Sequence, residues 1–147
     1  MKYAYRFQKI LELREMEKDQ SLEAYQLSVA DFEQAAEKLY TCLKKKEMLE
    51  EKTLFQLNSG MPVQEIRHFQ QFVSNLEKTI SHYQHLTASA RERMNEKQQV
   101  LTEKNIEVKK YEKMREKHRE VYVRWVKDTE IKSMDDLSVQ SYAVRGN

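Results

Sequence analysis

Apart from Gly60 and Pro62, no glycine or proline interrupts the chain before Gly146. Glycine and proline are the residues that most readily end regular structure. A chain that confines them to one internal spot can turn sharply only there. The stretch around them, Leu57-Asn58-Ser59-Gly60-Met61-Pro62-Val63, is the one internal cluster of turn signals. The residues on either side are dominated by glutamate, lysine, glutamine and leucine, all good helix formers. The expected fold is therefore all-α, with two long helices joined by a short turn.

Apolar periodicity supports this. Before the turn, positions alternately three and four apart read Ala4, Phe7, Leu11, Arg14, Lys18, Ser21, Tyr25, Ser28, Phe32, Ala35, Leu39, Cys42, Lys46, Leu49, Thr53 and Gln56. After it, they read Ile66, Phe69, Val73, Leu76, Ile80, Tyr83, Thr87, Ala90, Met94, Lys97, Leu101, Lys104, Val108, Tyr111, Arg115, His118, Tyr122, Trp125 and Thr129. Both are heptad frames without a skip, although several positions are polar. They predict helix 1 over about 4–57, a turn over 58–62 and helix 2 over about 63–130. Asn58 or Gly60 can end the first helix, because each tolerates a positive φ. Pro62 suits the start of the second, and Glu65 there complements the helix dipole.

A short turn forces the helices antiparallel. The compact register puts Gln56 opposite Ile66, Leu49 opposite Val73, Lys46 opposite Leu76 and Cys42 opposite Ile80. It continues through Phe32 with Ala90, Lys18 with Lys104, Arg14 with Val108 and Leu11 with Tyr111 to Ala4 with His118. The predicted architecture is a long antiparallel two-stranded coiled-coil hairpin, with helices of roughly 80 Å and 95–100 Å at 1.5 Å per residue. The second helix should overhang the first by about ten residues, with Tyr122, Trp125 and Val126 on the overhang. Arg14, Lys18, Lys97, Lys104 and Arg115 enter the seam near the termini, and Lys18 faces Lys104. A looser terminal half is the expectation. Residues 131–147, with Asp135-Asp136 and many small polar side chains, read as a short extra helix or a disordered tail. The same layers would be satisfied in a monomer or in a helix-swapped dimer.

Composition excludes several classes. Charged residues make up 34% of the chain, yet the net charge is only +2. The cations are interleaved with glutamates, so no nucleic-acid interface is expected. Lys44-Lys45-Lys46, followed by Glu47, reads as a solvated face. No apolar run approaches the length of a membrane span, and no signal peptide opens the chain. The single cysteine, Cys42, precludes an internal disulfide and favours a reducing, cytosolic setting. It occupies a seam position as a small apolar filler. No metal-ligand, phosphate-cradling or nucleophile motif is present, and His82 and His85 lack further ligands. No enzyme activity, cofactor or metal is expected. Leu43, Leu54, Phe55, Leu57 and Phe72 toward the turn, and Val121, Val123 and Val126 toward the far end, fall outside the seam. They either cover it or form partner surfaces.

The opening Tyr5-Arg6-Phe7-Gln8-Lys9-Ile10-Leu11-Glu12-Leu13-Arg14-Glu15-Met16-Glu17 resembles that of the flagellar FliJ family. There an aromatic, a Leu/Ile-Leu-x-Leu-Arg segment and a charged continuation precede two long helices. The resemblance extends to length, break position and register. It implies a soluble, non-enzymatic part of the flagellar type III export apparatus. Such a protein acts as a stalk in the central hole of the hexameric export ATPase and promotes ring assembly. It also touches the export gate membrane protein and export chaperones. It implies a cytoplasmic protein held peripherally at the membrane through that apparatus, without inserting. On that basis Phe7, Leu11, Arg14, Tyr122 and Trp125 are assigned to the ring-facing surface, and Tyr40, Phe55 and Phe72 to the gate-facing surface. A stalk or adaptor of another secretion or cytoskeletal assembly would look physically alike.

Overall fold

The structure, a computed structural model, describes the backbone of residues 5–145 and the side chains of residues 5–140. The fold is all-α. Helix α1 spans Gln8–Asn58 and helix α2 spans Val63–Arg145, and they pack antiparallel as a coiled-coil hairpin. Gly60 makes the turn with φ of +88°, the left-handed conformation. Its N–H donates to the Leu57 carbonyl at 3.3 Å, and the Ser59 hydroxyl donates to the Phe55 carbonyl at 3.3 Å. Two carbonyls left over at the end of α1 are thus satisfied. Asn58 does not take the positive φ that its type would tolerate. Pro62 stands just ahead of α2, where its carbonyl accepts from Glu65 and Ile66 at 3.1 and 3.2 Å. Glu65 lies in the first turn.

Contacts divide the chain into two units, residues 1–19 with 103–147 and residues 20–102. In the second unit, which holds the turn, Ser28, Leu76, Ile80 and Ala90 are buried. Phe32, Leu39, Cys42, Leu49, Phe69, Val73 and Tyr83 are half-buried around them. All belong to the two heptad frames. Three hydroxyls of the seam bond within their own helix. Ser28 Oγ donates to the Tyr25 carbonyl at 2.6 Å, and the Thr53 and Thr87 hydroxyls donate to Leu49 and Tyr83 carbonyls at 2.7 Å each. Lys46 Nζ reaches Glu77 at 3.3 Å, one residue from its expected layer with Leu76, and Glu50 at 3.9 Å. The Arg91 guanidinium lies 5.5 Å from the centre of the Phe32 ring, beside the layer expected for Phe32 and Ala90. Lys97 departs from its expected seam position and is exposed. Water outside the seam retains the hydration that burial would strip from an ammonium group.

The first unit has the most completely covered large side chain among the described residues. Leu11 is 0% exposed and packs with Val108 and Tyr5, flanked by Phe7 and Tyr111. Aromatic side chains thicken the packing around Leu11, within the half expected to be looser. α1 also begins later than expected. Tyr5 to Phe7 precede it as a turn, with the Gln8 N–H donating to the Tyr5 carbonyl at 3.1 Å. Ala4, and with it the expected layer against His118, lies outside the described residues. At the other end of the chain, α2 does not stop near residue 130. It continues unbroken to Arg145, because nothing between Val63 and Arg145 supplies a helix stop. Residues 119–145 add roughly 40 Å of helix, and every residue from 127 to 140 is exposed. Among the described residues, no helix is long and apolar enough to cross a membrane.

Candidate functional site

The first unit has two features built from seam residues and their near neighbours, an aromatic knot and an ionic cluster. In the knot, Tyr5 is 8% exposed although it lies ahead of α1. Its ring meets Phe7 edge-on at 5.9 Å and His118 at 6.0 Å, and its hydroxyl donates to the Tyr111 carbonyl at 3.2 Å. The Arg6 guanidinium lies 5.6 Å from the Phe7 ring centre. An apolar residue placed just before a helix commonly packs on its first turn, and Tyr5 does so by way of Leu11. The heptad frame missed Tyr5 because the periodicity applies only once the helix has begun.

The ionic cluster explains how cations enter the seam. Arg14 donates from one terminal nitrogen to both Glu17 carboxylate oxygens at 3.1 Å. Its Nε lies 3.2 Å from Glu107, close enough for an ion pair but without a hydrogen bond, since that N–H finds no acceptor in line. Lys104 Nζ donates to Glu17 at 3.4 Å. The expected clash of Lys18 with Lys104 is thus avoided, because Lys104 turns to a neighbouring carboxylate. Glu17 and Glu107 are each one residue off a seam position, Lys18 and Val108.

The hydrogen bond from Arg14 holds the Glu17 carboxyl below the ordinary glutamate range, against the opposing effect of desolvation and with further help from Lys104. The Arg14 guanidinium is pushed upward, chiefly by the same hydrogen bond. The side chains keep about a third of their exposure, so solvent screens the pair. A carboxylate whose pKa is depressed by folding stabilises the fold above its unfolded-state pKa. That contribution is lost as pH falls through the folded-state value. Acidification should therefore loosen residues 5–19 and 103–111, and Glu17→Gln should remove most of that response. Amide exchange measured across an acid series checks this. An equal acid response in both proteins would exclude Glu17 as the titrating group.

The remaining assigned residues are dispersed. Tyr122 is half-buried and Trp125 is 58% exposed, with ring centres 6.3 Å apart. In the second unit Tyr40, Phe55 and Phe72 are 64%, 74% and 55% exposed. Lys44 Nζ lies 6.0 Å from the Tyr40 ring centre. Phe72 lines a groove of about 440 Å³ with Leu49, Gln64, Glu65, His68 and Phe69. Tyr40 and Phe55 do not join it there, so the structure does not gather these three into one patch. Leu11 is wholly inside the packing, and Phe7 and Arg14 are half-buried. As the chain stands, these three build the first unit, and Trp125, Tyr40, Phe55 and Phe72 offer surface. Among the described residues, no three His, Cys, Asp or Glu side chains are grouped as metal ligands.

A hairpin with a closed knot, an ion-paired seam and scattered exposed aromatics belongs to the class of helical proteins that act by contact. The description "Flagellar FliJ protein" is that of the family whose pattern matches residues 1–147. A curated flagellar FliJ protein of Bacillus subtilis (strain 168) is 56% identical over 147 residues, covering 100% of both chains. The chain belongs to the flagellar FliJ family. No solved structure matches it.

Proposed function

We propose that this chain is a stalk of the flagellar type III protein export apparatus. It sits in the ring of the hexameric export ATPase, promotes ring assembly, and links the ring to the export gate and export chaperones. Whole-length membership of the flagellar FliJ family carries this reading, and it favours the flagellum over another secretion or cytoskeletal assembly. The first unit suits insertion into a ring. Its knot closes around Leu11, and α2 continues beyond it with Trp125 exposed. The exposed aromatics of the second unit leave surface for gate and chaperones. Work on the cytoplasmic side, with attachment to the membrane only through these partners, fits helices too polar to span it.

Tyr122 and Trp125 are the test. Interface aromatics of this kind contribute about 1 kcal/mol or more each, so the double change Tyr122→Ala, Trp125→Ala should weaken binding to the export ATPase at least ~30-fold and suppress its stimulation. Affinity measured by titration, with ATP hydrolysis followed in parallel, gives the answer. Unchanged binding and stimulation would remove the ring contact from this end of α2.

A further inference from the structure

Part of the exposed apolar surface of α1 in the second unit is ordered. Ala36, Tyr40, Leu43, Leu54 and Leu57 recur alternately four and three apart once Glu47 and Glu50 are counted with them. They make a second stripe, on one flank of the seam, over about three heptads or roughly 33 Å of helix. Tyr40, Leu43, Leu54 and Leu57 are exposed. Toward the turn the stripe becomes one wall of a groove of about 340 Å³, floored by Ile66, Phe69 and Val73. The groove that Phe72 lines is on the other flank. The facing wall, on α2, is low. Ser74, Ser81 and Ala88, seven apart, are exposed along it. Short side chains let a third helix settle close to the helix that carries them.

Charge determines what such a helix must carry. The stripe holds Glu47 and Glu50 and no lysine or arginine. The cations of α1 recur on the opposite flank instead, at Lys38, Lys45 and Lys52, seven apart. Between residues 70 and 88 the α2 wall adds Glu77 and no cation, since Lys78 lies on the far side of the helix. Arg67 and Arg91 stand beyond that stretch, and Arg91 is drawn to the Phe32 ring. Lys46 meets Glu50 and Glu77 from the seam at 3.9 and 3.3 Å, yet their side chains stay 58% and 55% exposed. Three carboxylates against one lysine leave the trough acidic, although the chain as a whole carries +2. The apolar strip calls for a matching apolar face, and the carboxylates call for cations beside it. A lysine or arginine can lay its stem along the apolar strip and bring its charge to the rim.

We propose that this trough, between residues 36–57 of α1 and 70–88 of α2, is the docking site of an amphipathic helix from another protein, with lysine or arginine flanking its apolar face. Apolar burial supplies most of the affinity. The rim carboxylates, being exposed, add little to it, but they select a cationic helix over an acidic one. The inference rests on the second unit alone and does not depend on the ring reading.

The probe is a fluorescent helical peptide of three heptads, with leucine along one face and lysine on both sides of it. Its control is the same peptide with glutamate in place of lysine. Titration of the full chain into each, read by anisotropy, tests the proposal. The lysine peptide should bind at least about tenfold tighter than the glutamate peptide. The net charge of +2 favours the reverse order, so this preference reports the trough. Tyr40→Ala with Leu54→Ala, at positions 64% and 63% exposed, should keep the circular dichroism of the parent and weaken binding at least about tenfold. Glu47→Lys should weaken binding of the lysine peptide and strengthen that of the glutamate peptide. Met48→Ala, on the opposite flank, should change neither. Equal or tighter binding of the glutamate peptide, no binding of the lysine peptide, or binding that survives the paired substitution or falls as much with Met48→Ala would each overturn the proposal. So would a dimer of the chain itself, seen by sedimentation equilibrium, that Tyr40→Ala with Leu54→Ala abolishes, since a second copy would then occupy the trough.

Discussion

Leu11→Ala is expected to destabilise the chain by about 2–4 kcal/mol, with the loss concentrated in residues 5–19 and 103–111. Among the described residues, Leu11 is the only large side chain fully removed from solvent. Its truncation removes apolar area and opens a space among Tyr5, Val108, Phe7 and Tyr111. Those neighbours cannot all close in. The Tyr5 hydroxyl is tied to the Tyr111 carbonyl, and its ring is held edge-on to Phe7. The range stays in the lower part of that known for leucine truncation, because a two-helix seam lets water reach a cavity that a thick core would keep empty. Leu27→Ala, at a position 64% exposed, should cost within about 0.5 kcal/mol. Urea unfolding supplies the total, and amide exchange locates it. If the two substitutions cost the same, Leu11 is not the keystone of the knot.

The fold was largely legible because its determinants are local and periodic. One glycine and one proline placed the turn, and frames without a skip left one compact register. That register also contained the ionic cluster, although the frames alone did not disclose it. Opposing Arg14 to Val108 brings Glu107 within reach, and opposing Lys18 to Lys104 brings Glu17 beside Lys104. The seam cations looked like defects only because their off-seam neighbours were left out. Tyr5 was harder to find. It precedes the helix, so no periodicity marks it, and its place depends on contacts with Phe7, Tyr111 and His118. The length of α2 is hidden in the sequence for a different reason. Asp135-Asp136 and many small polar residues after residue 130 suggest an end, but composition does not stop a helix in the absence of a breaking residue. The candidate surfaces were the least legible. An exposed aromatic such as Phe55 and a buried one such as Tyr5 carry the same signal in sequence, and only the packing separates them.

Ile80→Asp should be at least as damaging in the second unit, at about 3–5 kcal/mol. Ile80 is 6% exposed, in a stretch of the seam whose hydroxyls and one lysine are already engaged. Ser28, Thr53 and Thr87 bond to carbonyls of their own helix. Lys46, the nearest seam cation, is already held by Glu77 and Glu50. A carboxylate at position 80 would face the Cys42 layer with a side chain too short to reach past it to water. It must then ionise without a partner, take up a proton, or part the helices, and each course costs stability. Protonation is the least costly, so part of the lost stability should return as pH falls. That is the opposite of the acid response expected at Glu17, where protonation breaks a favourable pair. Thermal unfolding of Ile80→Asp and Ile80→Asn at neutral and acidic pH separates charge from polarity. The asparagine protein should be less destabilised at neutral pH and should show no acid recovery of its own. If both lose equally at every pH, the cost at this position is lost packing, and burial of charge plays no part in it.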